Sequence, residues 1–387
     1  MRTFIEQMRT RGLVTDVHDP VSSRFDAPKR AFSTDRLLFF HNLDGRKAVM
    51  NLVANRESLA VALGVAPEIL VPRLASCRYD GKLVDAGSLP LGPVNLDEIP
   101  IMENYPGEAG RYLNSGVVFS RYEGVENASV HRMLKAGKDR LVARLVEGRH
   151  THTLHKRALA NGERLPVAVV IGMHPLVLFA SCSRVPESME LPFAAELLGG
   201  EIPVHTLPNG VRVPDAEIIL EGYIGSETAV EGPYVDITRT YDPERIQPVI
   251  ELTGMYTKPD FIFNCVAVAT PHYYVKYPID TFNLDFSVNY DIIKSIIHHK
   301  IPFMHFSSSE VYGKKWESPY QEDITDLTIG PTHKSRWIYA TSKIMLEQLI
   351  KAHNCEHVIV RPQNFFGWDM DWLPDMNTNI DNKWLRV

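Results

Sequence analysis

The chain has 387 residues, 44% of them hydrophobic and 23% charged, with a formal net charge of −6 and a pI near 6.2. At roughly 100–200 residues per domain, that length makes two or three domains with room for a substantial core. The acidic balance argues against a nucleic-acid or membrane-coating surface, so an anionic substrate would have to meet locally placed cations.

The spacing of Phe4, Ile5, Met8 and Leu13 predicts a short amphipathic helix from Phe4 to Gly12. LLFFHNL and KAVMNLV read as strands, and RESLAVALGV as a helix closed by glycine. Residues 77–97 are rich in Gly and Pro and read as irregular. Strands are expected at 115–122, 141–147, 166–172, 176–181 and 216–221, with helices near 150–160 and 189–198. This is a mixed α/β pattern rather than a regular βαβ alternation. The texture changes near Lys258-Pro259. FIFNCVAVAT, a helical pattern over 278–299, PFMHFSSSEVYG, a helix over 339–353 and HVIVRPQNFFG then give strand–helix–strand–helix–strand, the sign of a parallel sheet. The boundary is placed within 256–262.

Cys77, Cys182, Cys265 and Cys355 are far apart and form no C-x-x-C, so neither a disulfide framework nor a thiolate zinc site is expected. The opening MRTFIEQMRTRGLV lacks the apolar run of a signal peptide. No stretch reaches the ~18 apolar residues of a membrane span. A cytoplasmic location is the expectation.

Asn127, Arg132, His150, Glu190, Glu231 and Asp236 lie on separate segments. Taken singly, each has an ordinary explanation: a turn cap for Asn127, a basic surface stretch for His150, a helix-dipole partner for Glu190, a turn for Glu231. Taken together, the segments E-N-A-S-V-H-R (126–132), S-C-S-R-V-P-E-S-M-E (181–190) and V-E-G-P-Y-V-D (230–236) resemble, in order, the motifs of the UbiD family of decarboxylases. MRTFIEQMRTRGLVTDV and NLVANRESLAVALGV fit the same family.

The resemblance implies an N-terminal α/β region over 1–100 and a split β-barrel flavin-binding domain over 101–258. It also implies non-oxidative decarboxylation of an aromatic or α,β-unsaturated acid on prenylated FMN. The cofactor supplies an electrophilic carbon and a flavin prenyltransferase makes the cofactor. Asn127, His150 and Glu190 would hold a divalent ion, and their mixed O/N donors suit Mn2+ or Mg2+. Ser129, Val130, His131 and Arg149 would join them around the cofactor, with potassium near Ser181. Arg132 would grip the substrate carboxylate through a bidentate fork, Glu231 would pair with Arg132, and Asp236 would deliver the proton with a raised pKa. Tyr234 and Val235 replace the Phe and Gly common in the family. A homo-oligomer is implied as well.

Residues 259–387 resemble the middle of an extended short-chain dehydrogenase/reductase, similar to UDP-glucuronate decarboxylases and the related domain of ArnA. S-S-S-E-V-Y-G (307–313), the helix with Tyr339 and Lys343 as Y-x-x-x-K, and V-R-P-Q-N-F-F-G (360–367) carry it. Ser309 and Glu310 match positions beside the sugar, and Lys343 is expected to lower the Tyr339 pKa. No glycine-rich dinucleotide turn precedes residue 261, so this part reads as a partial Rossmann-like segment with vestigial residues and no NAD. It stands where a UbiD enzyme continues into its closing α/β domain. A nucleotide-sugar enzyme and a non-catalytic fusion are therefore the competing readings.

Overall fold

The computed structural model describes residues 1–236, 238–268, 271–298, 301–314, 320–321, 324–353 and 355–362. These form two compact units, Met1–Lys258 and the part from Pro259 onward.

The first unit begins with the helix Arg2–Thr10, which buries Phe4, Ile5 and Met8. A three-stranded sheet follows, its central strand Leu37–Leu43 parallel to Val14–Val17 and antiparallel to Arg46–Met50. The helix Arg56–Leu63 has its expected glycine end, and Asn55 caps its start. Asn55 accepts from the Ser58 N–H at 2.9 Å and Gly64 closes it in the left-handed region.

Between residues 112 and 257 eight strands make a curled antiparallel sheet. The long strands Ile218–Glu231 and Arg245–Thr257 form its spine, flanked on one side by Arg140–Ala143 and Met133–Lys135 and on the other by Leu165–Ile171, Val117–Tyr122 and Val125–Val130. The spine bulges at Glu221/Gly222. A Cβ on Gly222 would sit 2.4 Å from the Glu251 carbonyl oxygen, so the strands approach there only because the side chain is missing. One face packs Val118, Val167, Val169, Leu220 and Ile250 into a core.

Two elements differ from the sequence pattern. Residues 176–181, read as a strand, lie in the helix Pro175–Cys182. An apolar run of this length does not distinguish strand from buried helix. Here Pro175 at the first helical turn and His174, whose Nδ1 accepts from the Leu176 N–H at 3.2 Å, decide for helix. Within the stretch read as irregular, Lys82–Asp85 is a strand that pairs in parallel with Glu201–Thr206.

The second unit has a parallel sheet of Ile262–Asn264, Phe303–Phe306 and His357–Val360. The helices Asn289–His298 and Trp337–Ala352 pack on it through Ile293, Ile296, Leu346 and Ile350. It is a partial Rossmann-like α/β segment, with one π-helical stretch at Asn283–Val288. The FFG end of the 360–367 block lies outside the described residues.

Candidate active site

Two polar clusters of the first unit meet at residues 131–132. In the first, Asn127 on the strand Val125–Val130 donates through Nδ2 to Ser129 Oγ (3.1 Å) and Thr151 Oγ1 (3.0 Å). That orientation leaves Asn127 Oδ1 for His150 Nδ1, 3.2 Å away at the start of the helix His150–Ala160. His131 completes the group. Its Nδ1 meets the Arg144 carbonyl at 3.0 Å, and its Nε2 lies 2.9 Å from Ser129 Oγ and 3.1 Å from Thr151 Oγ1. Burial pushes the His131 pKa down, keeping the ring neutral. Thr151, which sequence reasoning missed, is the hub of these bonds. Val130 and Arg149 are exposed.

Glu190 opens the helix Glu190–Leu197 and lines one small cavity together with Asn127. Ser188, just before it, accepts from the Glu126 N–H at 3.0 Å and donates to the Glu126 carbonyl at 3.2 Å, tying this loop to the Asn127 strand. Glu190 is buried, and among the described residues no Lys, Arg or His pairs with it. Burial, then the nearby Glu126 and Glu187, push its pKa up to about 7. A buried carboxyl that has no counter-cation among the described residues and shares a cavity with Asn127 is a donor type that suits a hard or borderline divalent ion. Ser181 is differently used. Its hydroxyl donates back to the Val177 carbonyl of its own helix at 2.9 Å.

The second cluster centres on Arg132, with 14% of its side chain exposed against 0% for Glu231. Its Nε and Nη2 each reach one oxygen of Glu231 at 2.9 Å, and Nη2 also meets Asp242 Oδ2 at 2.6 Å. Tyr234 lies beneath the guanidinium, 4.4 Å from its centroid, and Tyr112 meets Tyr234 edge to face. Burial opposes the Arg132 charge, but the bonds to Glu231 and Asp242 outweigh it and the pKa rises. The bidentate fork expected for a substrate is thus occupied by Glu231, leaving Nη1 for any newcomer. Asp242 is a second missed residue, from the two-residue strand Tyr241–Asp242.

Asp236 differs from its expected state. Its Oδ1 accepts from the Thr238 N–H at 2.8 Å and from the Thr240 N–H at 3.3 Å, and hydrogen bonds from the Thr238 hydroxyl lead the causes that lower its pKa. The raised value expected from burial or from Glu231 is not found, because the carboxylate closes a local turn instead.

In the second unit Lys343 is fully buried and donates to the Phe306 carbonyl at 2.9 Å. Burial lowers its pKa to about 8. Its ammonium is 5.9 Å from the Tyr339 ring, which stacks on Tyr274 at 5.1 Å. Contrary to expectation the Tyr339 pKa is raised, chiefly by burial. Ser308 lies beside Tyr339, and Glu310 accepts from the Tyr274 hydroxyl at 2.7 Å. Among the described residues no three His, Cys, Asp or Glu side chains gather as a metal cluster.

Family models match both parts of the chain and overlap between residues 226 and 271. The 3-octaprenyl-4-hydroxybenzoate carboxy-lyase N-terminal domain matches residues 5–77 and the Rift-related domain of the same enzyme residues 88–271. The first two thirds of the chain belong to the UbiD family. The NAD dependent epimerase/dehydratase family matches residues 226–382, so UbiD-type and epimerase-type segments share one chain. The anhydromevalonate phosphate decarboxylase of Methanosarcina mazei is 41% identical over 278 residues, 70% of this chain and 66% of the relative. That of Archaeoglobus fulgidus is 42% identical over 233 residues, 59% of this chain and 54% of the relative. Among solved structures, an evolved dimeric form of the UbiD-class enzyme HmfF from Pelotomaculum thermopropionicum, in complex with prFMN, superposes with a TM-score of 0.63 at 28% identity, over 67% of this chain and 65% of that one. The chain spans roughly half to two thirds of the curated relatives it matches. No single helix among the described residues is long and apolar enough to cross a membrane.

Proposed function

We propose that residues 1–258 are the cofactor-bearing part of a prenylated-FMN-dependent carboxy-lyase, with a boundary near residue 100 between its N-terminal α/β region and the flavin-binding sheet. The observation that carries the reading is the Arg132–Glu231–Asp242 cluster, two acids converging on a shielded guanidinium next to the Asn127–His150 contact. When bound, prenylated FMN supplies an electrophilic carbon that accepts the electrons of the breaking C–CO2 bond. Asn127, His150 and Glu190 would hold Mn2+ or Mg2+, and Ser129 and Thr151 offer hydroxyls to the cofactor phosphate.

The protein's own groups then have separable tasks. Glu231 and Asp242 fix Arg132 so that its free Nη1 is presented to an incoming carboxylate, while Tyr234 supports it from below. The hydroxyl of Tyr112 accepts the Gly232 N–H at 3.1 Å and holds the turn after Glu231. Asp236, ionised at neutral pH in its Thr238–Thr240 turn, would first have to leave that turn to carry a proton to the product carbon. Ligand binding is the event that would release it.

The curated relatives are named for a phosphorylated unsaturated acid, and a substrate of that class is proposed here. A cytoplasmic setting, self-association and a flavin prenyltransferase as supplier belong to the same proposal. The test is to produce the full chain together with a flavin prenyltransferase and identify the bound small molecule by native mass spectrometry, then follow CO2 release. Prenylated FMN with Mn2+ in the purified protein is the expected result. Protein that takes up neither flavin nor Mn2+ rejects the reading.

A further inference from the structure

A guanidinium offers its N–H donors as two forks, one along its side through Nε and Nη2 and one at its end through Nη1 and Nη2. On Arg132 the side fork is filled by Glu231, with Nε and Nη2 each 2.9 Å from one carboxylate oxygen. Asp242 Oδ2, 2.6 Å from Nη2, takes the remaining hydrogen of that nitrogen and with it half of the end fork. An incoming carboxylate can reach Nη1. It cannot grip the end of the guanidinium with both oxygens while Asp242 stays.

Charge sets the same limit. Arg132 already carries two carboxylates, and a third beside them would be repelled by both. Glu231 is held in place, with 0% of its side chain exposed and both oxygens on Arg132. Asp242 is free to move. Its side chain is 25% exposed, it stands on the two-residue strand Tyr241–Asp242, and its Oδ1 already meets Arg245 Nη2 at 2.8 Å. The hydrogen bond from Arg245 leads the causes that act on the lowered Asp242 pKa, ahead of burial, which opposes it, and of the bond from Arg132. Asp242 therefore stays ionised and paired after Arg132 is gone. Register sets it opposite Tyr234, the ring beneath the guanidinium, so a turn of its side chain toward Arg245 clears Nη2 with the backbone in place.

We propose that Asp242 is a resident carboxylate which the substrate's carboxylate displaces from Arg132. In the empty site it balances and orients the guanidinium. On binding it turns to Arg245 and yields Nη2, and the acid is then held by the Nη1–Nη2 fork. The number of carboxylates on Arg132 is the same before and after, so the exchange selects ligands with a free carboxylate over neutral esters and amides, which cannot replace the lost charge. The proposal rests on the decarboxylase reading above.

The full chain loaded with FMN and Mn2+ is titrated calorimetrically with anhydromevalonate phosphate. Asp242→Asn should bind it about tenfold more tightly than wild type, the worth of one charge-assisted contact that the acid no longer has to break. Asp242→Ser, too short to reach Nη2, should tighten binding as well, which covers an Asn amide that keeps the bond. Arg245→Gln should weaken binding several-fold, because Asp242 then has no second cation to turn to, and that loss should vanish in the Asp242→Asn background. An affinity that is unchanged or weaker in both Asp242 variants overturns the proposal and makes Asp242 a fixed support of Arg132. A wild type and variants that bind no acid overturn it too. The FMN and Mn2+ titrations of the same protein then report separately whether the decarboxylase reading falls with it.

Discussion

The two units handle buried charge differently. In the first, the inward-facing ions come with partners: Glu231 with Arg132, Arg132 with Asp242, Glu126 with Arg212 at 2.6 Å. Among the described residues the buried Glu190 has no cationic partner there, while the buried Glu108 and Glu221 accept from backbone N–H and hydroxyl donors. In the second unit Glu347 has Arg361 at 2.5 Å, but Lys343 is buried against a carbonyl, His305 Nε2 and Asp285 Oδ2 are buried without a hydrogen-bond partner among the described residues, and Phe263, Ile279 and Ile324 are exposed. An unpaired buried ion is expensive, so evolution keeps one where a ligand will balance it or where the loss is tolerated. The first unit fits the former case. The second has recognisable residues in a short parallel sheet, an arrangement that elsewhere needs cover on both faces.

The largest expected effects fall on Arg132. Arg132→Ala leaves Glu231 buried with no counter-ion, and breaking such a pair destabilises by about 3–5 kcal/mol. Urea denaturation measures that loss, and CO2 release should drop by on the order of 10³-fold. Glu231→Gln should lose comparable activity with a smaller stability change, since the amide needs no counter-charge. Lys343→Met, the parallel change in the second unit, should leave CO2 release unaltered and shift stability by less than about 1 kcal/mol. Equal losses from Arg132→Ala and Lys343→Met would erase the contrast between the units.

Next in size is the effect of Glu190. Glu190→Gln keeps the shape but removes the anionic donor, and Mn2+ affinity read by electron paramagnetic resonance should weaken by about 10–100-fold. The metal-free protein should become no less stable, and by about 1–2 kcal/mol more stable above neutral pH, because the wild type then buries a charge with no cation beside it. A variant that binds Mn2+ as well as wild type would remove Glu190 from the ligand set. Ser188→Ala, which unties the Glu126 backbone, should weaken Mn2+ binding by several-fold through position alone.

Much of this was legible in the chain, and what was not has identifiable causes. Residues 115–122 and 166–172 read as strands, and the glycine at 64 gave the end of a helix, since these signals are local. Arg132 and Glu231 are 99 residues apart and were found only as members of an ordered motif set. Asp242, Tyr112 and Thr151 were missed because they reach the site through strand pairing and carry no spacing signal. Asp236 is different. D-I-T-R-T, with Thr two and four residues after Asp, is a turn pattern that could have warned that this carboxylate is held ionised. The helix Pro175–Cys182 was hidden by its own composition, apolar on every side. His174 was the missed cap.

That cap gives the smallest effect and the cleanest sign. His174 Nδ1 accepts the Leu176 N–H, so the ring is needed neutral, and burial, aided by the N-terminal ammonium, lowers its pKa to about 4. An unfolded histidine takes its proton near about 6.5. Between those values the unfolded chain gains a proton that the folded chain refuses. Stability is therefore full above about pH 6.5 and falls as pH drops toward 4, by up to about 3 kcal/mol. His305 in the second unit, lowered to about 3, contributes with the same sign. His174→Asn keeps a cap acceptor without a titrating group, and should remove only its own share of the acid slope. His174→Ala should remove the same share and lose a further ~1 kcal/mol at every pH, because the Leu176 N–H then has no acceptor. Urea midpoints at pH 7.5 and pH 5 separate the two. An unchanged slope in His174→Asn would mean that the acid sensitivity resides in the other buried imidazoles, His131 and His155 in the first unit or His305 in the second.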